Sequence, residues 1–206
     1  MEPYKTIGGE SRTEFTEKRS RFIGTAKPVK TPGEAEKFIR AVREKNFEAK
    51  HNVFAYNTLS GGQRCSDDGE PQGTGGVPVL NVIMKSGINN VAVVVTRYFG
   101  GILLGTGGLI RAYSRSAADA VEKAGIITME PCCFAETQCS YGDYKTISKL
   151  IESSGALVDN TVYTDKVEIK FHIKAEDFTG FREKLTDVSR GKYIASLLKE
   201  DFCRQK

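Results

Sequence analysis

The chain has 206 residues, 39% of them hydrophobic and 27% charged, a balance typical of a soluble globular protein with one large or two small domains. No apolar run approaches the roughly 18 residues of a membrane span, and the N-terminal segment has no apolar core, so neither a transmembrane helix nor a signal peptide is expected. The net charge of +4 lies in residues 1–130, where 18 Lys and Arg face 14 Asp and Glu; this excess fits an acidic partner but is not by itself a nucleic-acid signature.

The placement of cysteine and histidine indicates no metal site and no catalytic triad. Five cysteines without a CxxC spacing argue against a disulfide framework or a zinc site, and they fit a reducing cytoplasm. Cys65 would act as a nucleophile only if its surroundings lowered the pKa of its thiol. The two histidines, His51 and His172, fall on different predicted domains with no Ser-His-Asp or Cys-His spacing.

The first predicted elements are two or three short strands within residues 4–29. Three basic residues, Lys18, Arg19 and Arg21, cluster beside one of these strands. Such a cluster is usually a solvated face, and a contact with phosphate is the alternative.

A helix, a strand, a long loop and a short helix are predicted next. The helix spans residues 31–46, because Thr31 is a good N-cap with proline and glutamate at the favoured positions behind it. The segment 51–58 is predicted as a strand, with Val53 and Ala55 on one face. Residues 60–76 form a polar loop of a length that is commonly functional or disordered, and a short helix covers residues 78–87.

The centre of the chain combines a strand, a glycine-rich loop and a long helix. The β-branched run Val91–Val95 is typical of a buried strand. An amphipathic helix follows, and the loop between them presents free backbone N–H groups at the positive end of the helix dipole, which suits an anion. The predicted anion- or RNA-binding residues here are Arg97, Gly100, Gly101, Gly105, Gly107, Gly108, Arg111 and Arg115, with the cluster Lys18, Arg19 and Arg21.

This loop also has a purely architectural interpretation. Glycines permit positive φ and close packing, and many such loops bind nothing. The loop has neither the Lys-Ser/Thr ending of a P-loop nor the dinucleotide fingerprint. Among the nearby aromatic residues, Tyr113 is assigned to the core, while Phe99 either stacks on a base or packs inside.

Three acids, Asp67, Asp68 and Glu70, lie together in the polar loop. They are candidates for holding a divalent cation or for acid–base chemistry, although the spacing is not that of an EF-hand. They equally fit a turn whose side chains bind local backbone N–H groups, or ion pairs with Arg97 or Arg111. We favour capping or pairing over metal binding, and we assign no catalytic residue, metal or cofactor.

The second half of the chain has the order βαββαβ. Strands are predicted at 132–140, 156–163, 166–173 and 194–202, with helices at 142–154 and 176–190. This order is that of the ferredoxin-like split motif. The expected domains are therefore 1–130 and 131–206.

Several blocks of the first domain resemble the YigZ/IMPACT family. They are SDDGEPQGTGGVPVL (66–80), VVVTRYFGGILLGTGGLIRAYSRS (93–116), KRSRFIG (18–24) and AKHNVFAY (49–56). The resemblance implies an α+β protein whose N-terminal two-layer α/β domain has the fold of a ribosomal protein and of elongation factor G domain IV. It implies a smaller, ferredoxin-like C-terminal domain similar to one in elongation factor G.

The resemblance also implies a cytoplasmic protein tied to translation or its regulation. Eukaryotic relatives act through a stress-kinase pathway, but the further domain linked to that contact has no counterpart in these residues, so that role is not carried over. The first hypothesis is a module that binds RNA or the ribosome, and no membrane. The alternatives are a Mg²⁺-dependent enzyme acting on a phosphorylated small molecule and a protein-interaction scaffold; the sequence does not decide whether the protein is an enzyme or what its oligomeric state is.

Overall fold

A computed structural model gives the fold of residues 1–204. The chain divides into two units, one spanning residues 4–128 and the other beginning at Met129 and including residues 1–3. The architecture is α+β, with two sheets and five helices among the described residues, as the sequence predicted. We describe each unit by itself.

The N-terminal unit is built on an antiparallel sheet. The strands of this sheet are β2 (Ser11–Glu17), β3 (Ser20–Pro28), β4 (His51–Thr58), β5 (Gly62–Ser66) and β6 (Val91–Tyr98), and β1 (Tyr4–Ile7) also lies in this unit but outside the sheet. The sheet order is β2-β3-β6-β4-β5, so the apolar β6 lies at the centre, and β1 bridges to Ile88 beside it. The buried run Val91–Val95 is therefore covered on both sides, as its β-branched composition predicted.

Strand β5 corrects the prediction of a structureless loop over residues 60–76. Its residues pair with β4 from Thr58↔Gly62 to Phe54↔Ser66. The sequence GQRCS has no apolar alternation because an edge strand needs little burial. The loop that remains is residues 67–75.

Three helices complete this unit: α1 (Pro32–Lys45), α2 (Gly76–Lys85) and α3 (Gly105–Ala124). The predicted N-cap of α1 is confirmed, since Thr31 Oγ1 accepts a hydrogen bond from the Glu34 N–H. Helix α2 begins two residues before the predicted start at Pro78, which the structure places inside the first turn.

The core of the N-terminal unit has a helix layer on each side of the sheet. Helices α2 and α3 pack on one face, where Tyr113 is fully buried as predicted. Helix α1 packs on the other face through Phe38 and Ile39 against Phe54 and Val94. The family resemblance implied two layers, and α1 adds a third.

The second unit has the predicted βαββαβ order. Its elements are β7 (Ile126–Cys139), α4 (Tyr144–Ser153), β8 (Leu157–Tyr163), β9 (Val167–Lys174), α5 (Phe178–Ser189) and β10 (Ser196–Arg204). The strands are ordered β10-β7-β9-β8 with antiparallel neighbours, which is the ferredoxin-like arrangement. Alternate residues of β9, from Val167 to Ile173, point into the core as their spacing predicted.

Two further observations bear on expectations from composition. Cys132 and Cys203 form a disulfide between β7 and β10, whereas the cysteine spacing argued against a disulfide framework. The two residues are 71 positions apart, so only the pairing of the terminal strands brings them together. Among residues 1–204, no helix has the length and apolar character needed to cross a membrane.

Candidate functional site

The candidate site is built around the start of α3. Gly105, Gly107 and Gly108, predicted as loop, lie in the first turn of this helix. The N-cap residue is Leu104, and no side chain of the described residues caps the helix. Residues 105–107 are exposed, so the first N–H groups and the positive end of a 20-residue helix face solvent.

The loop before α3 needs glycine for two different reasons. Gly101 and Gly105 have φ of +84° and +72°, a conformation that side-chain-bearing residues rarely adopt. Gly100 is needed for space, because a Cβ there would lie 2.0 Å from the carbonyl carbon and oxygen of Arg19. The Gly100 N–H also donates to Ser20 Oγ at 3.2 Å, so the loop is held against the turn between β2 and β3.

That turn carries two of the predicted basic residues. Lys18 and Arg19 form the two-residue connection between Glu17 and Ser20, with φ of 44° and 66°. Left-handed conformation at both positions is typical of the hairpin turns that match strand twist. The close contact at Gly100 therefore places this basic turn beside the glycine loop.

A cleft of about 320 Å³ lies between β2 and α3 beside this turn. Leu104 and Gly108 from the start of α3 contribute to it. Its charged walls are Lys18, Arg111, Arg115 and Glu17, and Phe15 supplies an apolar wall. Phe15 was not singled out by the sequence, since its contact with Arg115 joins residues far apart in the chain.

The cations around the cleft differ in how far they are neutralised. Lys18, Arg19 and Arg111 have no ion pair within the part of the chain that the structure describes. Arg111 reaches back over the first turn of α3, where its Nη1 would lie 3.5 Å from a Cβ on Gly107. The ion pair of Arg115 is an exposed contact of 3.6 Å with Asp119.

Arg21 is less available than its neighbours. It binds the Glu14 carboxylate with both Nε and Nη2, at 2.6 and 2.8 Å, and this hydrogen bonding lowers the pKa of the Glu14 carboxyl. Its guanidinium also lies over the Tyr98 ring. The prediction that Arg21 binds phosphate therefore has little support in the structure.

Arg97, predicted as an anion- or RNA-binding residue, lies inside the protein. Its side chain is 6% exposed, and Nη1 lies 2.6 Å from Glu70 Oε1, whose side chain is 4% exposed. The guanidinium lies 5.5 Å from the Phe22 ring and 5.4 Å from the Phe99 ring. Its charge is therefore neutralised inside the protein by Glu70. Pairing with Arg97 was one of the alternatives for the acidic loop.

The same carboxylate oxygen accepts a second buried hydrogen bond. Tyr113 Oη donates to Glu70 Oε1 at 2.7 Å, and burial together with this bond raises the pKa of the Tyr113 hydroxyl. Glu70 thus ties the loop of residues 67–75 to β6 and α3. Sequence alone could not link three residues on three elements.

Asp67 and Asp68 are also engaged in the architecture. Asp67 accepts hydrogen bonds from the N–H groups of Gly73, Gly75 and Gly76, all within 2.8–2.9 Å, and so caps α2. Burial opposes the ionisation of Asp67, but these hydrogen bonds outweigh it and lower the pKa. Asp68 pairs with Arg43 at 2.5 Å.

Little in this loop fits a metal or a nucleophile. All three acids are occupied by capping or pairing, and the described residues contain no group of acidic, histidine or cysteine side chains arranged to hold a metal ion. Burial raises the pKa of the Cys65 thiol, the opposite of what an activated nucleophile needs.

Comparison with known proteins matches both units. The family model of the Impact N-terminal domain matches residues 18–121, and a domain of unknown function, DUF1949, matches residues 137–192. IMPACT family member YvyE of Bacillus subtilis is 34% identical over 93% of this chain and 89% of its own length. IMPACT family member YigZ of Escherichia coli is 34% identical over 84% of this chain and 87% of its own length.

A eukaryotic relative and a solved structure are also similar to this chain. The human Protein IMPACT is 36% identical over 44% of this chain and 30% of its own length. A crystal structure of a hypothetical protein superposes with a TM-score of 0.64 at 30% identity, covering 98% of this chain and 100% of that one.

Proposed function

From the premise that the chain belongs to the IMPACT family, we propose that it is a cytoplasmic protein that binds RNA, free or in the ribosome, and acts in the regulation of translation. The binding surface is the start of α3 with the turn between β2 and β3. The observation that carries this proposal is the grouping of cations without ion pairs at an uncapped helix N-terminus: Lys18 and Arg111 line the cleft, and Arg19 lies in the turn that contacts Gly100.

These groups suit the phosphate backbone of a nucleic acid. Free N–H groups at a helix start and nearby Lys and Arg are the usual ligands of phosphate oxygens. The chain has no Asp or Glu between Glu70 and Asp119, so the loop and most of α3 present no repelling carboxylate. Affinity for RNA is therefore expected to fall steeply with salt.

The enzyme alternative receives no support from the acidic loop. A Mg²⁺-dependent phosphoryl transfer needs carboxylates free to hold the ion or to take a proton. Asp67, Asp68 and Glu70 are each committed to capping or pairing. The scaffold alternative has one supporting observation, the exposure of Leu103, which is 81% exposed in the loop before α3.

The test is binding of a fluorescent RNA hairpin with a single-stranded tail, alongside co-sedimentation with ribosomes. The test variant is Lys18→Asn/Arg19→Asn/Arg111→Gln, with asparagine at the two positions of positive φ because it tolerates that conformation. The matched control is Lys37→Gln/Arg40→Gln/Lys45→Gln, which removes three exposed charges from α1 on the other face of the sheet.

We expect the wild type and the control to bind and the test variant to lose most of its affinity. Equal losses in both variants would mean that net charge alone attracts RNA. Unchanged binding by the test variant would contradict the proposed surface.

A further inference from the structure

Two planar side chains stand exposed beside the basic turn. The Phe99 side chain, next to Gly100, is 49% exposed, and the Arg115 side chain, on the wall of the cleft, is 59% exposed. An aromatic ring and a guanidinium are the two protein groups on which unstacked nucleobases lie flat. Phosphate binding alone does not explain why these two planar groups are exposed here.

Arg115 lies over one ring of a stacked aromatic pair. The rings of Phe22 and Phe15 are stacked, with centroids 5.3 Å apart and planes inclined by 11°. The Arg115 guanidinium carbon lies 4.3 Å from the Phe15 ring centroid. One side of the guanidinium is thus supported by a stack whose far end is buried in the core, and much of the side chain remains in solvent.

Phe99 is supported in the same manner by a different residue. The Arg97 guanidinium lies 5.4 Å from the Phe99 ring centroid, and Arg97 is itself fixed by Glu70. The buried Arg97 cation therefore packs against the Phe99 ring, and a cation over the face of an aromatic ring is a favourable contact. Half of its surface is left uncovered.

Single-stranded and double-stranded RNA offer different groups for Phe99 and Arg115 to contact. A duplex buries the faces of its bases and offers phosphates and 2′-hydroxyls, for which cations are sufficient. A single strand offers base faces within reach of its phosphates. Planar groups beside the cations Lys18, Arg19 and Arg111 therefore suit single-stranded RNA better than a duplex.

We infer that the site selects single-stranded RNA, with bases stacked on Phe99 and Arg115 while the cations hold the phosphates. This inference rests on the proposed function and specifies its ligand. It assigns to Phe99 and Arg115 a selectivity that charge alone would not provide.

The experiment measures the affinities of single-stranded and duplex RNA oligonucleotides of about 12 nucleotides, a length that covers one binding surface. The variants are Phe99→Leu, which keeps an apolar side chain without the ring, and Arg115→Lys, which keeps the charge without the plane. Their matched controls are Phe47→Leu, at a ring 80% exposed after α1, and Arg182→Lys, at an arginine over Phe178 in the second unit.

The expected result is a preference of the wild type for the single strand, with about a fivefold or greater loss in each test variant and none in the controls, because stacking contributes measurably for each base. Duplex binding should change little. Equal wild-type affinity for the two RNA forms, or test variants that behave like their controls, would overturn the inference and leave the proposed function standing. No binding of either RNA by the wild type would overturn both.

Discussion

Arg97 and Glu70 form an ion pair of 2.6 Å in which both side chains are almost wholly buried. The pair fixes the loop of residues 67–75 onto the central strand, and Tyr113 extends it to α3 through the same carboxylate oxygen. The residues that the sequence predicted as an anion site thus fall into two groups. Arg97 lies inside the protein, and Lys18, Arg19 and Arg111 form the proposed binding surface.

Replacing Glu70 by glutamine should strongly destabilise the N-terminal unit. The substitution leaves Arg97 buried without a counter-charge, and breaking a buried pair in this way costs about 3–5 kcal/mol. The measurement is urea unfolding at neutral pH. Glu36→Gln is the matched control, because it breaks an exposed pair with Arg64 and should cost less than about 1 kcal/mol. Similar values for the two variants would show that the buried pair is not structurally important.

Replacing Gly100 by alanine should destabilise the protein and weaken RNA binding together. The added Cβ would lie 2.0 Å from backbone atoms of Arg19, which cannot move without displacing the basic turn. Overpacking of this kind costs about 1–3 kcal/mol. Gly9→Ala is the control, since nothing lies within 4 Å of its added Cβ. Normal stability and normal RNA affinity in Gly100→Ala would contradict the close contact.

Asp67 should make the stability of the N-terminal unit sensitive to acid. Its pKa is lowered in the folded protein, so its contribution is present above the unfolded pKa of about 4 and is lost as pH falls through the folded value. Asp67→Asn should therefore be less stable than the wild type at pH 7, and the difference should shrink below about pH 4. Thermal melts across pH measure this, with the exposed Glu183→Gln as control. A difference independent of pH would rule out this role of the carboxylate.

Helices and strands were predictable where the sequence pattern that specifies them lies within the element itself. Thr31 and the proline after it mark the start of α1, and the strand 51–58, with its run of apolar residues, has the predicted bounds. Strand β5 was missed because an exposed edge strand has no apolar pattern. The start of α3 was missed because glycine is a poor helix former, and here it occupies the first turn.

The site was only half predictable for a related reason. The grouping of Lys18 with Arg111 follows from a basic cluster and a glycine loop that are each visible in the sequence. The pairing of Arg97 with Glu70 joins positions 27 residues apart, and the contact of Arg115 with Phe15 is more distant still. The first contact depends on how the loop of residues 67–75 packs on β6, and the second on how β2 packs on α3; no local pattern encodes either.

The salt dependence of RNA affinity tests the central claim most directly. For the wild type, the logarithm of the association constant should fall linearly with the logarithm of salt concentration. In the Lys18→Asn/Arg19→Asn/Arg111→Gln variant the slope should be shallower by about 0.7 for each phosphate contact removed. The control with three α1 charges removed should keep the wild-type slope. A wild-type affinity that does not change with salt, or the same slope in all three proteins, would contradict the proposal that this surface binds the phosphates of RNA.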